Sequence, residues 1–128
     1  MSAMRVKSAT PIFFVSNVPA TAAFFRDKLG FQTDFLYGDP PFYGSVSRDG
    51  VCIHLRFVHG PNLFPRQAAQ EGSLILATVE VSDVAALYDE FQARGVAFPQ
   101  PLMRQAWGGT DFHVCDPDGN VFSFVTYG

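Results

Sequence analysis

Two short apolar stretches of the chain carry histidine, thiol and charged side chains at every second position. These side chains are Cys52, His54, Arg56, Asp111, His113 and Cys115. Because alternate side chains of a strand point to the same face, each trio should share one face of a sheet, provided that neither strand slips by one residue. Such residues could bind a metal, transfer protons or supply a thiol nucleophile.

A thiol nucleophile has little support in the sequence. No base is fixed beside Cys115 other than His113, two residues earlier on the same face. The sequence contains no Ser-His-Asp pattern, phosphate-binding loop or zinc ribbon. We therefore assign no catalytic residue, and we expect Cys52 and Cys115 to be reduced, buried thiols.

An internal repeat specifies the elements that position these residues. The segments 16–18 (Ser-Asn-Val) and 82–84 (Ser-Asp-Val) each follow an apolar strand and open a helix. The Asp-Gly pairs at 49–50 and 118–119 each precede a final apolar strand. Each half therefore predicts the order β-α-β-β-β, and the whole chain predicts an α+β fold of two tandem modules.

Element bounds follow from alternation, apolar stripes and turn residues. The predicted strands are Ile12–Val18, Phe31–Tyr37, Phe42–Ser47, Val51–Phe57, Leu74–Val81, Pro101–Gln105, Asp111–Cys115 and Val121–Tyr127. The helix stripes are Val18, Ala22, Phe25 and Leu29, then Val84, Leu87, Tyr88 and Phe91. We predict one domain over 1–128, with modules at 8–59 and 73–128 and a surface connection at 60–72.

Composition excludes several classes of function. Hydrophobic residues make up 48% of the 128 residues, 14 of them Phe, which suffices for a core and leaves material for an aromatic cavity or subunit interface. The net charge of −3 and the lack of a basic cluster argue against nucleic-acid binding. No apolar run could span a membrane, and Met1–Thr10 lacks the apolar core of a secretion signal. We expect a soluble, cytoplasmic protein.

Three phrases of the sequence together resemble one family. They are SNVPATAAFFRDKLGFQTDF from Ser16, DGVCIHL from Asp49 and DFHVCDPDGNVFSF from Asp111. In order, on a repeated module, they resemble the vicinal oxygen chelate (glyoxalase, bleomycin resistance protein and extradiol dioxygenase) superfamily, and most of all its bleomycin-resistance branch. The resemblance implies a curved mixed sheet around a cavity, usually in a dimer, and it leaves function open.

Metal-using members of that superfamily take four ligands from the first and last strands of the two modules. The repeat places the equivalent positions at Thr10, His54, Leu76 and Ser123. Only His54 is a good ligand, and a catalytic divalent ion needs three or more. We therefore predict no metal and no cofactor. A displaced site built from His54, Glu80 and His113 is the alternative.

Ligand-binding candidates come from the predicted inner face and from one loop. They are Phe14, Tyr43, His54, Arg56, Glu80, Trp107 and His113. Trp107 lies in a Gly-rich loop of the kind that often covers a pocket, and the aromatic side chains could stack on planar groups. Glu80 could meet a cationic group, or it could pair with Arg56 across the sheet. Each of these side chains could instead serve packing alone.

The resemblance and the missing ligands favour a metal-free protein that binds and sequesters a small molecule, a drug or an aromatic metabolite, as in antibiotic resistance. The ligand would be planar and cationic. One alternative is a metal-dependent lyase, isomerase or dioxygenase of the same superfamily, and another is a metabolite-sensing module. We also expect a homodimer, because one helix per module covers only one face of each sheet, and the connection 60–72 is long enough for module exchange.

Overall fold

The computed structural model describes residues 3–128, so the first two residues of the segment Met1–Thr10 lie outside it. Eleven elements follow one another along the described chain. The strands are β1 (Ile12–Val15), β2 (Gln32–Gly38), β3 (Pro41–Arg48), β4 (Val51–Phe57), β5 (Thr78–Glu80), β6 (Gln100–Arg104), β7 (Thr110–Cys115) and β8 (Val121–Thr126). The helices are α1 (Val18–Leu29), α2 (Phe64–Glu71) and α3 (Val84–Ala93).

The strands form two four-stranded mixed sheets with matching topology. Their orders are β1-β4-β3-β2 and β5-β8-β7-β6. β1 pairs in parallel with β4, and β5 with β8, while all other neighbouring strands are antiparallel. This is the α+β fold that the repeat predicted. We call residues 12–57 the first half and residues 78–126 the second half.

Helices α1 and α3 begin and end where the capping residues indicate. The Asn17 side chain accepts a hydrogen bond from the Ala20 amide at 3.0 Å, and Asp83 does the same for Ala86 at 3.0 Å. Gly30 ends α1 in the left-handed conformation, at φ 70°. The cap at Asn17 and Pro19 in the first turn make β1 end at Val15, three residues before the predicted end of that strand.

One continuous core joins the two halves on the helix side of both sheets. The predicted stripe of α1 is buried, as are Val84 and Phe91 of α3. Phe122 of β8 packs against Phe13 and Phe25 of the first half, at ring-centroid distances of 5.2 and 5.7 Å. At the rim of the core, Arg48 donates two hydrogen bonds of 2.8 Å to the Glu90 carboxylate.

The connection between the halves differs from the prediction because it contains a helix. Just before α2, the Asn62 side chain accepts a hydrogen bond from the Phe64 amide at 3.2 Å, and Pro65 lies in the first turn of the helix. No residue of α2 is buried, and the helix has only eight residues, fewer than the window over which helical periodicity is recognised in a sequence.

Strand β5 is shorter than predicted, three residues instead of eight. The chain leaves α2 through Gly72 and Ser73, both at positive φ (69° and 54°). It then approaches β8 by single hydrogen bonds, such as that from the Leu76 amide to the Val121 carbonyl at 2.8 Å. No helix within residues 3–128 is both long and apolar enough to cross a membrane.

Candidate functional site

The face of each sheet turned away from the helices, here called the inner face, carries the candidate residues of the strands. On β1 and β4 the helix side is filled by Phe13, Val15, Ile53 and Leu55, none more than 1% exposed. The alternate residues therefore point to the inner face, as predicted. They are Ile12, Phe14, Cys52, His54 and Arg56.

A hydrogen-bonded group on the first half surrounds Asp34, and we call it the open array. The Asp34 carboxylate accepts hydrogen bonds from Ser47 Oγ at 2.7 Å and from Ser45 Oγ at 2.9 Å. These hydrogen bonds, first of all that from Ser47, lower the pKa of Asp34. Ser45 Oγ also lies 2.9 Å from Cys52 Sγ. Asp34 is exposed, so the array presents a carboxylate to solvent.

His54 belongs to the same face and is held by two aromatic neighbours. Tyr43 Oη lies 2.8 Å from His54 Nδ1, and the two rings meet edge to face with centroids 5.4 Å apart. Phe35 contacts the His54 ring from β2 at 6.1 Å. The structure thus brings Tyr43 and His54 together and adds Phe35 to the predicted set.

Asp34 and Phe35 escaped the sequence analysis because of a β-bulge. The register of β2 against β3 shifts between Thr33 and Phe35. A bulge breaks strict alternation, which lets two consecutive residues reach one face. A strand pattern read at period two assigns one of them to the wrong side.

The expected pairing of Arg56 with Glu80 is wrong. Arg56 donates to the carbonyl of its neighbour Phe57, and within residues 3–128 neither Arg56 nor Glu80 forms an ion pair. The two side chains belong to different sheets, so no strand pairing brings them opposite each other. Glu80 is left exposed and unneutralised.

The second half carries its polar residues in a closed array around Asp111. The Asp111 carboxylate is buried and accepts hydrogen bonds of 2.8 Å from the side-chain amides of Gln100 and Gln105. His113 Nε2 lies 3.6 Å from the same carboxylate. Burial lowers the pKa of His113, so the ring is neutral at pH 7.

The register that places His113 on the inner face agrees with the prediction. His113 pairs with Ser123 across β7 and β8, and Cys115 pairs with Val121. The Asp116 amide donates to the Asn120 carbonyl at 2.9 Å and so closes the predicted three-residue loop at 117–119. Cys115 has a raised pKa because it is partly buried, which leaves its thiol protonated at neutral pH.

The four positions taken as equivalent to metal ligands are Thr10, His54, Leu76 and Ser123. In the sheets His54 pairs with Ile12 and Ser123 with Thr78, so Thr10 and Leu76 each lie two residues before the paired position. The His54 amide donates to the Pro11 carbonyl, next to Thr10, and the Ser123 amide donates to the Ala77 carbonyl, next to Leu76. One imidazole, two hydroxyls and a leucine do not fit a divalent ion. Nor is the alternative site from His54, Glu80 and His113 formed, since no three His, Cys, Asp or Glu side chains in the described chain are grouped to hold a metal.

Two clefts lie where the halves meet. An acidic cleft of about 630 Å³ is lined by residues 8–11, 50–53 and 77–80, which include Thr10, Cys52, Thr78 and Glu80. An apolar cleft of about 420 Å³ is lined on one side by Ile12, Phe14, Leu76 and Asn120 and on the other by the connector, residues 58–64. Both volumes fall in the range of roughly 300–1,000 Å³ typical of small-molecule sites.

The seven predicted ligand-binding residues do not form one site in the single chain. Phe14 lines the apolar cleft and Glu80 the acidic cleft, while His113 lines a separate cavity of about 280 Å³ beside Gln100. Trp107 lines none of these and is 59% exposed on its loop, with its ring 6.0 Å from that of Tyr127.

Comparisons with known proteins agree with this architecture. The family model described as the glyoxalase/bleomycin resistance protein/dioxygenase superfamily matches residues 7–124. No curated protein sequence is a significant match. Among solved structures, the bleomycin-binding protein of Streptomyces verticillus, complexed with copper(II)-bleomycin, is 29% identical with a TM-score of 0.73, over 98% of this chain and 99% of that one.

Two further structures share the fold at lower identity. The bleomycin resistance determinant encoded on transposon Tn5 is 22% identical with a TM-score of 0.76, over 95% of this chain and 98% of that one. A glyoxalase-related enzyme from Clostridium phytofermentans is 17% identical with a TM-score of 0.75, over 99% of both chains. With the repeated module, the mixed sheets and the matched family model, this chain belongs to the glyoxalase/bleomycin resistance protein/dioxygenase superfamily.

Proposed function

We propose that the protein binds a drug-sized small molecule with a planar aromatic part and a cationic group, and that it acts by sequestration without chemistry. The observation that carries this proposal is the inner face itself. Aromatic side chains that would normally be buried stand about half exposed there and nearby, among them Phe14 at 50% and Phe35 at 46%. Exposed aromatic surface of this kind is characteristic of a binding face.

The chemistry of the polar groups supports binding in preference to catalysis. The standard ligand positions Thr10, Leu76 and Ser123 do not suit a metal. His113 is neutral and buried, and the Cys115 thiol is protonated, so neither is set up as an accessible base or nucleophile. The carboxylates of Asp34 and Glu80 are instead exposed without a cationic partner. They would attract a cationic ligand.

The printed ligands of two structural relatives point in the same direction. The Streptomyces verticillus protein is a bleomycin-binding protein, and the Tn5 protein is a bleomycin resistance determinant. Bleomycin-like glycopeptides are therefore the first ligands to test, followed by other planar cationic drugs and aromatic metabolites.

We further propose that the protein is a homodimer and that the partner covers part of the inner face. Each sheet has a helix on one face only, and the single chain leaves Tyr37, Phe42 and Met103 between 45% and 65% exposed. A two-fold dimer would bury the same patch on both copies. Light scattering coupled to size-exclusion chromatography should give twice the 14.1 kDa of one chain, and a mass near 14.1 kDa at micromolar concentration would exclude the dimer.

A thermal-shift screen tests the ligand proposal. A ligand that binds only the folded state at about 100 times its Kd should raise the free energy of unfolding by about 2.7 kcal/mol, which gives a rise of several degrees in Tm. Metal-free bleomycin, planar cationic drugs and matched non-aromatic cations make the panel. Stabilisation by planar cations but not by their non-aromatic counterparts is expected. A panel without any stabilising compound would contradict binding.

A further inference from the structure

The two clefts occupy equivalent places in the two halves. The acidic cleft is lined by residues 8–11, which lead into β1, by β5 of the second half and by the start of β4. The apolar cleft is lined by Leu76, which leads into β5, by β1 of the first half and by Asn120, which directly precedes β8. Residues 66 apart correspond: Thr10 to Leu76, Ile12 to Thr78, and Phe14 to Glu80. The fold alone therefore makes a cleft twice, and the side chains decide what each cleft can hold.

At three equivalent positions the side chains are polar in the acidic cleft and apolar in the other. Ile12, Phe14 and Leu76 are 48%, 50% and 44% exposed in the apolar cleft. Their counterparts are two threonines and a glutamate, and these polar residues fit the same backbone positions. The fold thus has no need for apolar side chains there. Apolar surface left half exposed at such positions forgoes the stability that its burial would give.

The connector closes the apolar cleft from one side, and a chain of amides holds it there. Asn62 Nδ2 donates to Asn120 Oδ1 at 2.6 Å, and Asn120 Nδ2 donates to the Phe14 carbonyl at 3.0 Å and to the Asp116 carboxylate at 2.8 Å. Pro65 packs closely against the turn between β7 and β8, where a Cβ added to Gly119 would lie 2.6 Å from Pro65 Cγ. The acidic cleft has no such covering segment among its lining residues.

We propose that the apolar cleft is a binding subsite, complete within one chain, for an uncharged fused-ring aromatic group, with the connector as its lid. This proposal rests on the proposed function and deepens it, because it assigns the aromatic part of the ligand to this cleft. The cationic part would then remain outside, near Asp34 or Glu80.

Chemistry and size both select such a group. His59 is the one lining residue with an ionisable side chain, no lining residue offers a negative charge, and the amides of Asn62 and Asn120 are engaged with each other, so a cationic group would lose its hydration without a counter-charge. The rings of Phe14 and Phe64 offer apolar faces to a flat group. An apolar cavity of roughly 150 Å³ holds one benzene ring. A cleft of about 420 Å³ therefore has room for a fused system.

The test uses N-phenylnaphthylamine, an uncharged aromatic probe whose fluorescence rises in apolar surroundings. The variants are Leu76→Glu in the apolar cleft and Thr10→Glu at the equivalent place in the acidic cleft. We expect saturable binding of one probe per chain to the unaltered protein. Leu76→Glu should weaken it roughly tenfold or more, while Thr10→Glu should change it less than about twofold.

Leu76→Thr serves as the second variant, because threonine occupies the equivalent position and should not disturb folding. This variant should weaken binding of the probe severalfold, while its circular dichroism spectrum should match that of the unaltered protein. If the probe binds but both Leu76 variants bind as well as the unaltered protein, the subsite is wrong and the proposed function stands. If no aromatic probe or drug binds, both fail. If light scattering gives the Leu76→Glu variant a different oligomeric mass from the unaltered protein, the cleft is a subunit contact and the proposal is overturned.

Discussion

The inner faces of the two halves use similar polar residues in opposite ways. In the first half, Asp34 is exposed and accepts hydrogen bonds from the buried Ser45 and the half-buried Ser47, with His54 and Tyr43 on the same face. In the second half, Asp111 is 4% exposed and is enclosed by Gln100 and Gln105. The module and the topology are the same, so the difference lies in the side chains that surround each carboxylate.

This difference indicates separate roles for the two arrays. A carboxylate enclosed by glutamine amides is satisfied within the chain and rigidifies the sheet. A carboxylate held by two hydroxyls but open to water keeps lone pairs for a ligand. The first half is thus suited to recognition and the second to stability. The predictions below test that division.

Removal of the carboxylate should have a large effect on stability only in the closed array. Asp111→Ala leaves two partly buried glutamine amides without their acceptor and empties a buried site, and we expect the free energy of unfolding to fall by about 2–4 kcal/mol. Asp34→Ala, the matched change in the open array, should cost less than about 1 kcal/mol, because water replaces the carboxylate. Urea unfolding measures both, and equal losses would refute the division.

The turn before β8 in the second half should make stability depend on pH, and the equivalent turn before β4 in the first half should not. Burial raises the pKa of Asp116 to about 6, against hydrogen bonds from Asn120 and Asp118 that lower it. The repeat places Ser47 at the equivalent position in the first half. Because the folded pKa lies above the unfolded value of 3.8, the stability contributed by Asp116 is full below pH about 4 and is lost as the pH rises through 6.

The comparison of Asp116→Asn with the unaltered protein isolates this contribution, since Asp34 and Glu90 have lowered pKa values and act in the opposite direction. Between pH 4 and pH 7 the unaltered protein should lose roughly 2–3 kcal/mol of unfolding free energy relative to the variant. Parallel stability curves for the two proteins would show that Asp116 does not titrate with a raised pKa.

Trp107 tests whether the second half also contributes an exposed group to recognition. If its ring stacks on the ligand, metal-free bleomycin should quench its fluorescence. Trp107→Ala should then weaken binding by about 1–3 kcal/mol, the usual cost of losing a stacking platform. Trp107→Phe, which keeps an aromatic face, should retain most of the affinity. An unchanged Kd in Trp107→Ala would remove this residue from the site.

The smallest effect is expected for the Tyr43–His54 pair, which lies beside the open array on the same face. Tyr43→Phe removes the hydroxyl that bonds His54 at 2.8 Å, and it should cost about 0.5–1.5 kcal/mol of stability. The ¹⁵N chemical shifts of His54 should change at Nδ1 and much less at Nε2. Identical shifts in both proteins would mean that this hydrogen bond is absent in solution.

The sequence was sufficient to predict the fold and much of the inner face. The repeat aligned the halves, the segments 16–18 and 82–84 gave the helix starts, and the Asp-Gly turn gave the pairing of His113 with Ser123. The caps and turns are local signals, and the repeat is found by comparing two segments of the sequence, so none of these predictions requires knowledge of how the halves pack.

The remaining features depend on contacts that local patterns do not contain. The bulge that brings Asp34 to the inner face breaks the period-two rule. Helix α2 has no buried stripe. The two clefts arise only after Phe122 packs against the first half and fixes where the sheets meet. For the same reason, the separation of Arg56 from Glu80 could not be derived from strand alternation.

Isothermal titration calorimetry with metal-free bleomycin, combined with mass spectrometry of the recovered ligand, tests the central claim most directly. EDTA-treated protein should bind a saturable, near-stoichiometric amount of ligand per chain, and the ligand should return with its mass unchanged. Elemental analysis of protein that was grown in metal-supplemented medium and not treated with EDTA should find no stoichiometric divalent ion. Turnover of the ligand, or about one equivalent of metal per chain that is lost in His54→Ala, would contradict the account.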